Sequence, residues 1–417
     1  MTILPQDYLR SLKAIRERCE KVYEAPEKLI AFDIDESRLP AIVDHVTNTT
    51  TRRFPQLDQI PPHSRLRHFD PVQLQSLRDQ WAQQGVDQVE QARRLVDLVI
   101  VSVLVDAGAG QVWKYKTKNG VSIGRSEGLA LASFDMFLQG YFSSQNEVPD
   151  SVDAAGLDNV TVKKMTEGFQ VTETNPMVGL EGRSNLLKRL ARVLEEQSVY
   201  FPSIYRESPR PGNLIDFLLS SAQENKNTVH IETLWEAVMS LSGIWPARLE
   251  VNGVAMGDVW MCDSLVDQGN FENLVPFHKL SQWLTYSLIE SIELSLDIKI
   301  EGVEQMTGLP EYRNGGLLVD YGLLTLKLEQ AKRGGATQEG QLPAFEGSDP
   351  VIVEWRALTV TYLDKIKKEV EKKLGRTLSL AQVLEGGTWT AGREIAAKLR
   401  PEDGGPPIVI KSDGTIF

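Results

Sequence analysis

The sequence predicts a mainly α-helical protein with a few short β-hairpins, and three observations carry that prediction. Apolar residues recur at three- and four-residue steps along most of the chain, the repeat of one helical face. Strand-like runs are short and sit beside Asn-Gly or Asp-Gly pairs, which supply the positive φ angles of tight hairpin turns. No regular alternation of strand and helix is visible, which argues against a doubly wound parallel sheet. The 417 residues allow two or three domains. Two polar, weakly periodic stretches, near 144–176 and 333–346, do not separate independent cores, so the expectation is one helical domain over 1–417.

In chain order, Tyr8, Leu12, Ile15 and Cys19 form the first helical face. Asp70-Pro71 reads as an N-cap followed by proline at the first helical position. Gln91 to Val105 suits a buried helix, with a strand as competitor because of its β-branched Val99-Ile100-Val101. Helices are also expected over Arg125–Phe142, Leu186–Leu194, Leu214–Ala222 and Leu280–Leu296, and from Asp349-Pro350 to about Leu374. Ser379 with Gln382 three residues on has the pattern of a capping box. Hairpins are expected around Asn119-Gly120, Asn252-Gly253 and Asp413-Gly414, the last pairing Ile408–Ile410 with Thr415–Phe417.

Composition narrows the function. The formal charge of −12 is the wrong sign for a general nucleic-acid binder, which needs a basic footprint. Two cysteines cannot build a disulfide framework, and five scattered histidines offer no paired metal-ligand spacing, so neither a metal nor a redox cofactor is expected. The most apolar stretch, Leu95 to Ala109, is broken by Asp97, Ser102 and Asp106 and falls short of a membrane span. The amino-terminal segment is charged and amphipathic without a signal-peptide core, and the expected location is the cytoplasm.

Five places combine glycine turns with acids, amides and aromatics. Asp106 closes the apolar stretch before Trp113, in a Gly-x-Gly fragment that lacks the dinucleotide pattern; a helix end entering a hairpin explains it as well as a binding role does. Gly124-Arg125-Ser126-Glu127-Gly128 opens a helix, where Arg125 and backbone N–H groups suit either a phosphate or an ordinary cap. Asp258 stands beside Trp260, which can stack on a base or raise the acid's pKa by desolvation. Lys279, Gln282 and Tyr286 fall on one helical face after His278, joining a point charge for phosphate, an amide and a phenol. Finally Glu311, Tyr312, Arg313 and Asn314 precede Gly315-Gly316, with Asp320 beyond. No Gly-x-Ser-x-Gly elbow supports serine catalysis. Carboxylates with amides and aromatics suit glycosidic-bond cleavage, in which one acid stabilises an oxocarbenium-like centre or activates water and another protonates the leaving group.

These segments, LVDLVIVSVLVDAGAGQVWKY, GRSEGLALASFDMF, GDVWMC, VPFHKLSQWLTYSL, GLPEYRNGGLLVD and the carboxyl-terminal GGTWTAGREIAAKLRP and GGPPIVIKSDGTIF, resemble in order the microbial uracil-catabolism family long catalogued as a domain of unknown function. The resemblance implies a step in a pyrimidine route through uridine monophosphate and a ribosylurea-type intermediate. A weaker likeness links Asp258-x-Trp260, Lys279-x-x-Gln282 and Tyr286-Ser287 to the queuosine-phosphate salvage hydrolases. Those are helical N-glycosidases related in fold to helical DNA glycosylases. Carried across, Asp258 takes the place of the catalytic carboxylate and Lys279 that of an arginine. Phe277 departs from the pattern, where the salvage enzymes have the aspartate of Asp-Tyr-Arg, so either a second acid comes from elsewhere, with Asp320 or Glu311 as candidates, or the reaction differs.

The expected activity is therefore hydrolysis of the N-glycosidic bond of a ribosylurea-type nucleoside or its 5′-phosphate in a polar pocket between helices. The partner is that small molecule rather than a nucleic-acid polymer or a membrane. Asp258, Asp320 and Glu311 are the candidate catalytic acids. Arg125, Lys279 or Arg313 would meet a phosphate, and Trp260, Trp113 or Trp235 would wall the leaving group. Two alternatives stay open: hydrolysis of a ureido or amide C–N bond, and non-enzymatic binding of a pyrimidine intermediate.

Overall fold

Helix formation follows the apolar periodicity, and the computed structural model describes residues 3–106, 108–110, 112–203, 208–224, 227–245, 249–338 and 340–411. The main helices in chain order are α1 (Leu12–Tyr23), α2 (Leu39–Arg53), α3 (Pro71–Gln83), α4 (Gln88–Leu104), α5 (Arg125–Leu138), α6 (Leu180–Glu196), α7 (Leu214–Glu224), α8 (Ile231–Ser240), α9 (Lys279–Ser295), α10 (Tyr312–Asp320), α11 (Pro350–Leu374) and α12 (Trp389–Leu399). The strands are two or three residues long: β1 (Phe32–Ile34), β2 (Tyr115–Lys116), β3 (Ser122–Ile123), β4 (Thr228–His230), β5 (Glu250–Val251), β6 (Val254–Ala255), β7 (Val259–Met261), β8 (Leu274–Pro276), β9 (Lys299–Glu301), β10 (Leu324–Leu326), β11 (Ala344–Glu346) and β12 (Val409–Lys411). The strands pair two by two, so the fold class is mainly α. No described helix is long and apolar enough to cross a membrane.

The chain divides into two compact units. The first comprises residues 1–63, 248–282 and 304–412, and its centre is α11, packed on α1 and α2. Asp349 caps α11 through the Val351 N–H, and Gly375, at φ +62°, ends it. Inside α11, the Glu354 side chain is fully buried. It accepts the N–H groups of Ile30 at 2.9 Å, Ala31 at 3.0 Å and Phe32 at 2.9 Å, and the Ser264 hydroxyl at 2.5 Å. Those donors are the backbone leading into β1, which pairs antiparallel with β10. α10 packs on α12 so closely that a Cβ on Gly392 would lie 2.4 Å from the Arg313 carbonyl oxygen. β5–β6 and β7–β8 are antiparallel pairs, while β11 and β12 run parallel.

The second unit comprises residues 64–247 and 283–303. Its core helix is α4, which is a helix despite its β-branched run and is buried without a break from Arg94 to Leu104. Asp97 on α4 is sealed from solvent and takes the Arg210 guanidinium at 2.6 Å and the N–H of Gly212 at 2.6 Å and of Val152 at 3.0 Å. The polar stretch 144–176 supplies the Val152 N–H to this contact; it holds short helices at Ala154–Asp158 and Val162–Gly168 and buries Val152, Leu157, Met165 and Phe169.

The local signals have mixed outcomes. Asp70 caps α3 at the Val72 and Gln73 N–H groups, and the Ser379–Gln382 capping box is present in both directions. The hairpins at Asn119-Gly120 and Asn252-Gly253 form as β2–β3 and β5–β6. The third expectation differs: β12 pairs with β11, a distant segment, and the other arm of the expected hairpin, 413–417, lies outside the described residues.

Candidate functional site

In the first unit, β7 and β8 bring Asp258 against the start of α9. The backbone carbonyl of Asp258 receives the Phe277 N–H at 2.9 Å, and His278 adopts φ +46° to turn the chain into the helix. His278 is buried, donates Nε2–H to the Leu9 carbonyl at 2.9 Å and is kept neutral chiefly by burial, which lowers its pKa. It therefore fixes the turn.

The Asp258 carboxylate then meets four donors. Oδ1 accepts Trp260 Nε1–H at 2.6 Å and Arg356 Nη1–H at 2.8 Å; Oδ2 accepts Arg356 Nη2–H at 2.8 Å and the Lys279 backbone N–H at 2.9 Å. Arg356 comes from α11, is 3% exposed, and lies 4.0 Å over the Phe277 ring. Burial alone would raise the Asp258 carboxyl, but the Arg356 charge and these hydrogen bonds outweigh it and hold the acid well below the usual carboxylate range. About a quarter of the Asp258 side-chain surface, 24%, is open to solvent.

Lys279 also faces a second acid. Glu311 caps α10, its Oε2 accepting the Arg313 N–H and its Oε1 the Asn314 N–H, both at 2.7 Å. Burial raises the Glu311 pKa, opposed by those two N–H groups and by the charges of Lys279 and Arg313. The two carboxylates, one meeting the Lys279 backbone N–H and the other its charge, are thus pushed in opposite directions. Gln282, one turn along α9, is fully buried and commits its amide to Thr307 and Phe277: Nε2 donates to Thr307 Oγ1 at 2.7 Å and to the Phe277 carbonyl at 3.2 Å, and Oε1 accepts the Thr307 N–H at 2.9 Å. It ties the approach to α10 to the first turn of α9.

The remaining candidates of this unit are placed as follows. Asp320 sits at the opposite end of α10 from Glu311, nine residues or about 13 Å along the axis. It is held by Arg400 in a two-pronged pair of 2.8 and 2.6 Å. Arg313 donates to the Gly404 carbonyl at 2.6 Å and lies 4.9 Å over the Tyr312 ring. Asn314 donates Nδ2–H to the Leu309 carbonyl at 3.1 Å. So Asp258, Trp260 and the first turn of α9 come together, Glu311 lies within the field of the Lys279 charge, and Asp320 belongs to a separate pairing with Arg400.

The second unit holds the other candidates. Asp106 accepts Arg65 Nη1–H at 2.7 Å and the Ser126 hydroxyl at 3.0 Å, beside the first turn of α5. Arg125, at φ +58°, opens that helix from an exposed position. Trp113 donates to the Phe169 carbonyl at 2.8 Å and is 1% exposed; Trp235 and Tyr286 are buried as well. Among the described residues no group of three or more His, Cys, Asp or Glu is placed to hold a metal ion.

Sequence reasoning missed Arg356 and Arg65. Each had a signal: a lone cation inside an apolar helix, Val351-Ile352-Val353-Glu354-Trp355-Arg356-Ala357-Leu358, or next to a buried histidine and serine, must find a carboxylate. The missing information was the partner. The histidine pair His63–Glu385, 2.8 Å apart with Arg53 also on Glu385, was likewise not singled out.

Comparisons with known proteins bear on the same residues. A family model described as "Protein of unknown function (DUF1688)" matches residues 8–417. A protein of Lachancea kluyveri named "Uracil catabolism protein 4" is 39% identical over 438 aligned positions, covering 99% of each chain. "Protein urg3" of Schizosaccharomyces pombe is 41% identical over 420 positions, covering 98% of each chain.

Proposed function

This chain belongs to the DUF1688 family, and on that premise we propose that it acts in uracil catabolism, as the name of its Lachancea relative states for that protein, by hydrolysing the N-glycosidic bond of a ribosylurea-type nucleoside or its 5′-phosphate. The observation that carries the reading is the pair of acids around Lys279, Asp258 held ionised and Glu311 raised. Acids whose surroundings drive their pKa values apart divide the roles of fixed charge and proton donor.

In this reading protonated Glu311 gives its proton to the departing ureido group as the C1′–N bond breaks and its electron pair leaves on nitrogen. Positive charge develops on C1′ and the ring oxygen, opposite the Asp258 carboxylate. Arg356 weakens that field but keeps the carboxylate ionised and oriented. Water then adds to C1′ and returns a proton to Glu311, giving ribose or its 5′-phosphate and urea. Lys279, with its ammonium beside the site, would receive the phosphate.

The test is to incubate the purified protein with N-ribosylurea and with its 5′-phosphate and to identify products by mass spectrometry. Equal amounts of urea and ribose or ribose phosphate are expected. Ammonia and carbon dioxide with no free sugar would favour cleavage of the ureido group instead. Binding without products would favour a non-enzymatic role. Lys279→Ala should lower kcat/KM for the phosphorylated substrate at least tenfold more than for the nucleoside, and equal losses would remove the phosphate contact.

A further inference from the structure

A second group of reactive side chains lies where α2, α12 and the end of α10 meet, at the opposite end of α10 from its Glu311 cap. His45 on α2 stands between a carboxylate and a phenol. Its Nε2 is 3.0 Å from Glu394 Oε2 on α12, and its Nδ1 is 2.9 Å from the hydroxyl of Tyr321, the residue that follows α10. Glu394 also accepts the Thr49 hydroxyl at 3.2 Å and pairs with Arg52. Burial opposes ionisation of Glu394, but the His45 hydrogen bond, the Arg52 charge and Thr49 outweigh it and hold its pKa below the ordinary value. An ionised carboxylate only accepts, so the imidazole hydrogen sits on Nε2, Nδ1 keeps its lone pair and Tyr321 is the donor. The phenol proton therefore points at a base whose far side is held by an acid, the order of groups that activates an oxygen nucleophile. None of the three side chains is sealed: 21% of the His45 and 36% of the Glu394 side-chain surface is open, and Tyr321 is partly exposed.

We propose that Tyr321, His45 and Glu394 form a second reactive centre, in which the Tyr321 hydroxyl is a nucleophile toward the acyl group of a small activated ester. Burial and the Glu394 charge raise the Tyr321 pKa, so the phenol keeps its proton at rest and depends on His45 to take it. As Tyr321 Oη bonds to the acyl carbon, its proton passes to His45 Nδ1, and Glu394 stabilises the imidazolium. The bond from the acyl carbon to the leaving oxygen then breaks with its electron pair, and the leaving alcohol departs with that proton. Water repeats the sequence on the acyl-tyrosine: its proton goes to His45 and on to Tyr321 Oη as the acid is released. This centre uses neither Asp258 nor Glu311, so it stands or falls apart from the N-glycosidase reading.

The probe is p-nitrophenyl acetate with the full-length protein, followed by nitrophenol release and by peptide mapping after an acid quench. Acetyl should appear on Tyr321 ahead of the other tyrosines and the lysines. Tyr321→Phe, which keeps the ring, should lower ester turnover about a hundredfold at an unchanged melting temperature. His45→Gln, whose amide can accept the phenol's hydrogen bond but takes no proton, should do the same. Glu394 acts through His45 as a positioning residue, so Glu394→Gln should lower kcat and leave KM in place, and an unchanged kcat would overturn that assignment. Acetyl spread over exposed lysines and tyrosines without Tyr321, or full turnover by Tyr321→Phe, would overturn the proposal and make the three residues a structural tie between α2, α10 and α12.

Discussion

Asp258 has its four lone-pair directions taken by Arg356, Trp260 and Lys279. A carboxylate so occupied acts as a fixed charge and is a poor nucleophile. No covalent glycosyl–enzyme adduct should therefore accumulate when turnover is quenched, and its detection by intact-protein mass spectrometry would assign Asp258 a different role. Asp258→Asn should keep the fold but lose most turnover, and should cost up to about 3 kcal/mol of stability because Arg356 is left buried without its charge partner. Glu311 behaves oppositely. As the proton donor it must be protonated, so kcat/KM should fall as pH rises through its raised pKa. Glu311→Gln should remove that alkaline limb along with most of the rate; an unchanged pH profile would assign the limb to another group. The residue types were legible in the sequence, since Asp258 and Trp260 follow a glycine turn, Lys279 lies in an aromatic-rich helix and Glu311 precedes Gly315-Gly316. The division of labour was not, because the cation that sets it, Arg356, stands 98 residues away on another helix.

At the scale of elements, local signals were read well wherever the chain satisfies itself locally. The Asp70 cap, the Ser379–Gln382 box and two Asn-Gly hairpins need only neighbours within a few residues. α4 shows what overrides propensity: its β-branched run is helical because burial on every side rewards a helix that satisfies its own backbone. β12 shows the reverse limit, since its partner β11 is fixed by tertiary packing rather than by a turn. The contact between α10 and α12 gives a further test. Gly392→Ala would force its Cβ against the Arg313 carbonyl oxygen and push the first turn of α10 away. The melting temperature should fall by several degrees, and activity should fall further than stability because Glu311 rides on that turn. A variant with wild-type melting and rate would mean that the two helices separate without cost.

For the whole chain, the charge of −12 predicts that binding to polynucleotides is absent at physiological salt. The pH dependence of stability follows from the direction of the Asp258 shift. Its folded pKa is depressed, so its contribution is present above the unfolded value of 3.8 and is lost as pH falls through the folded one. Asp258→Asn should flatten the acid limb of a denaturation profile, and an unaltered limb would show that this ion pair adds nothing to folding. A bound substrate acts in the other direction: at ~100 times its dissociation constant it adds about 2.7 kcal/mol, visible as a shift in melting temperature even in a variant that does not turn over. The most direct measurement is product analysis of N-ribosylurea and its 5′-phosphate with the wild type beside Asp258→Asn. The account predicts urea and free sugar in equal amounts from the wild type and at most traces from the folded variant. Undiminished cleavage by the variant, or intact sugar–nitrogen bonds with both proteins, would contradict it.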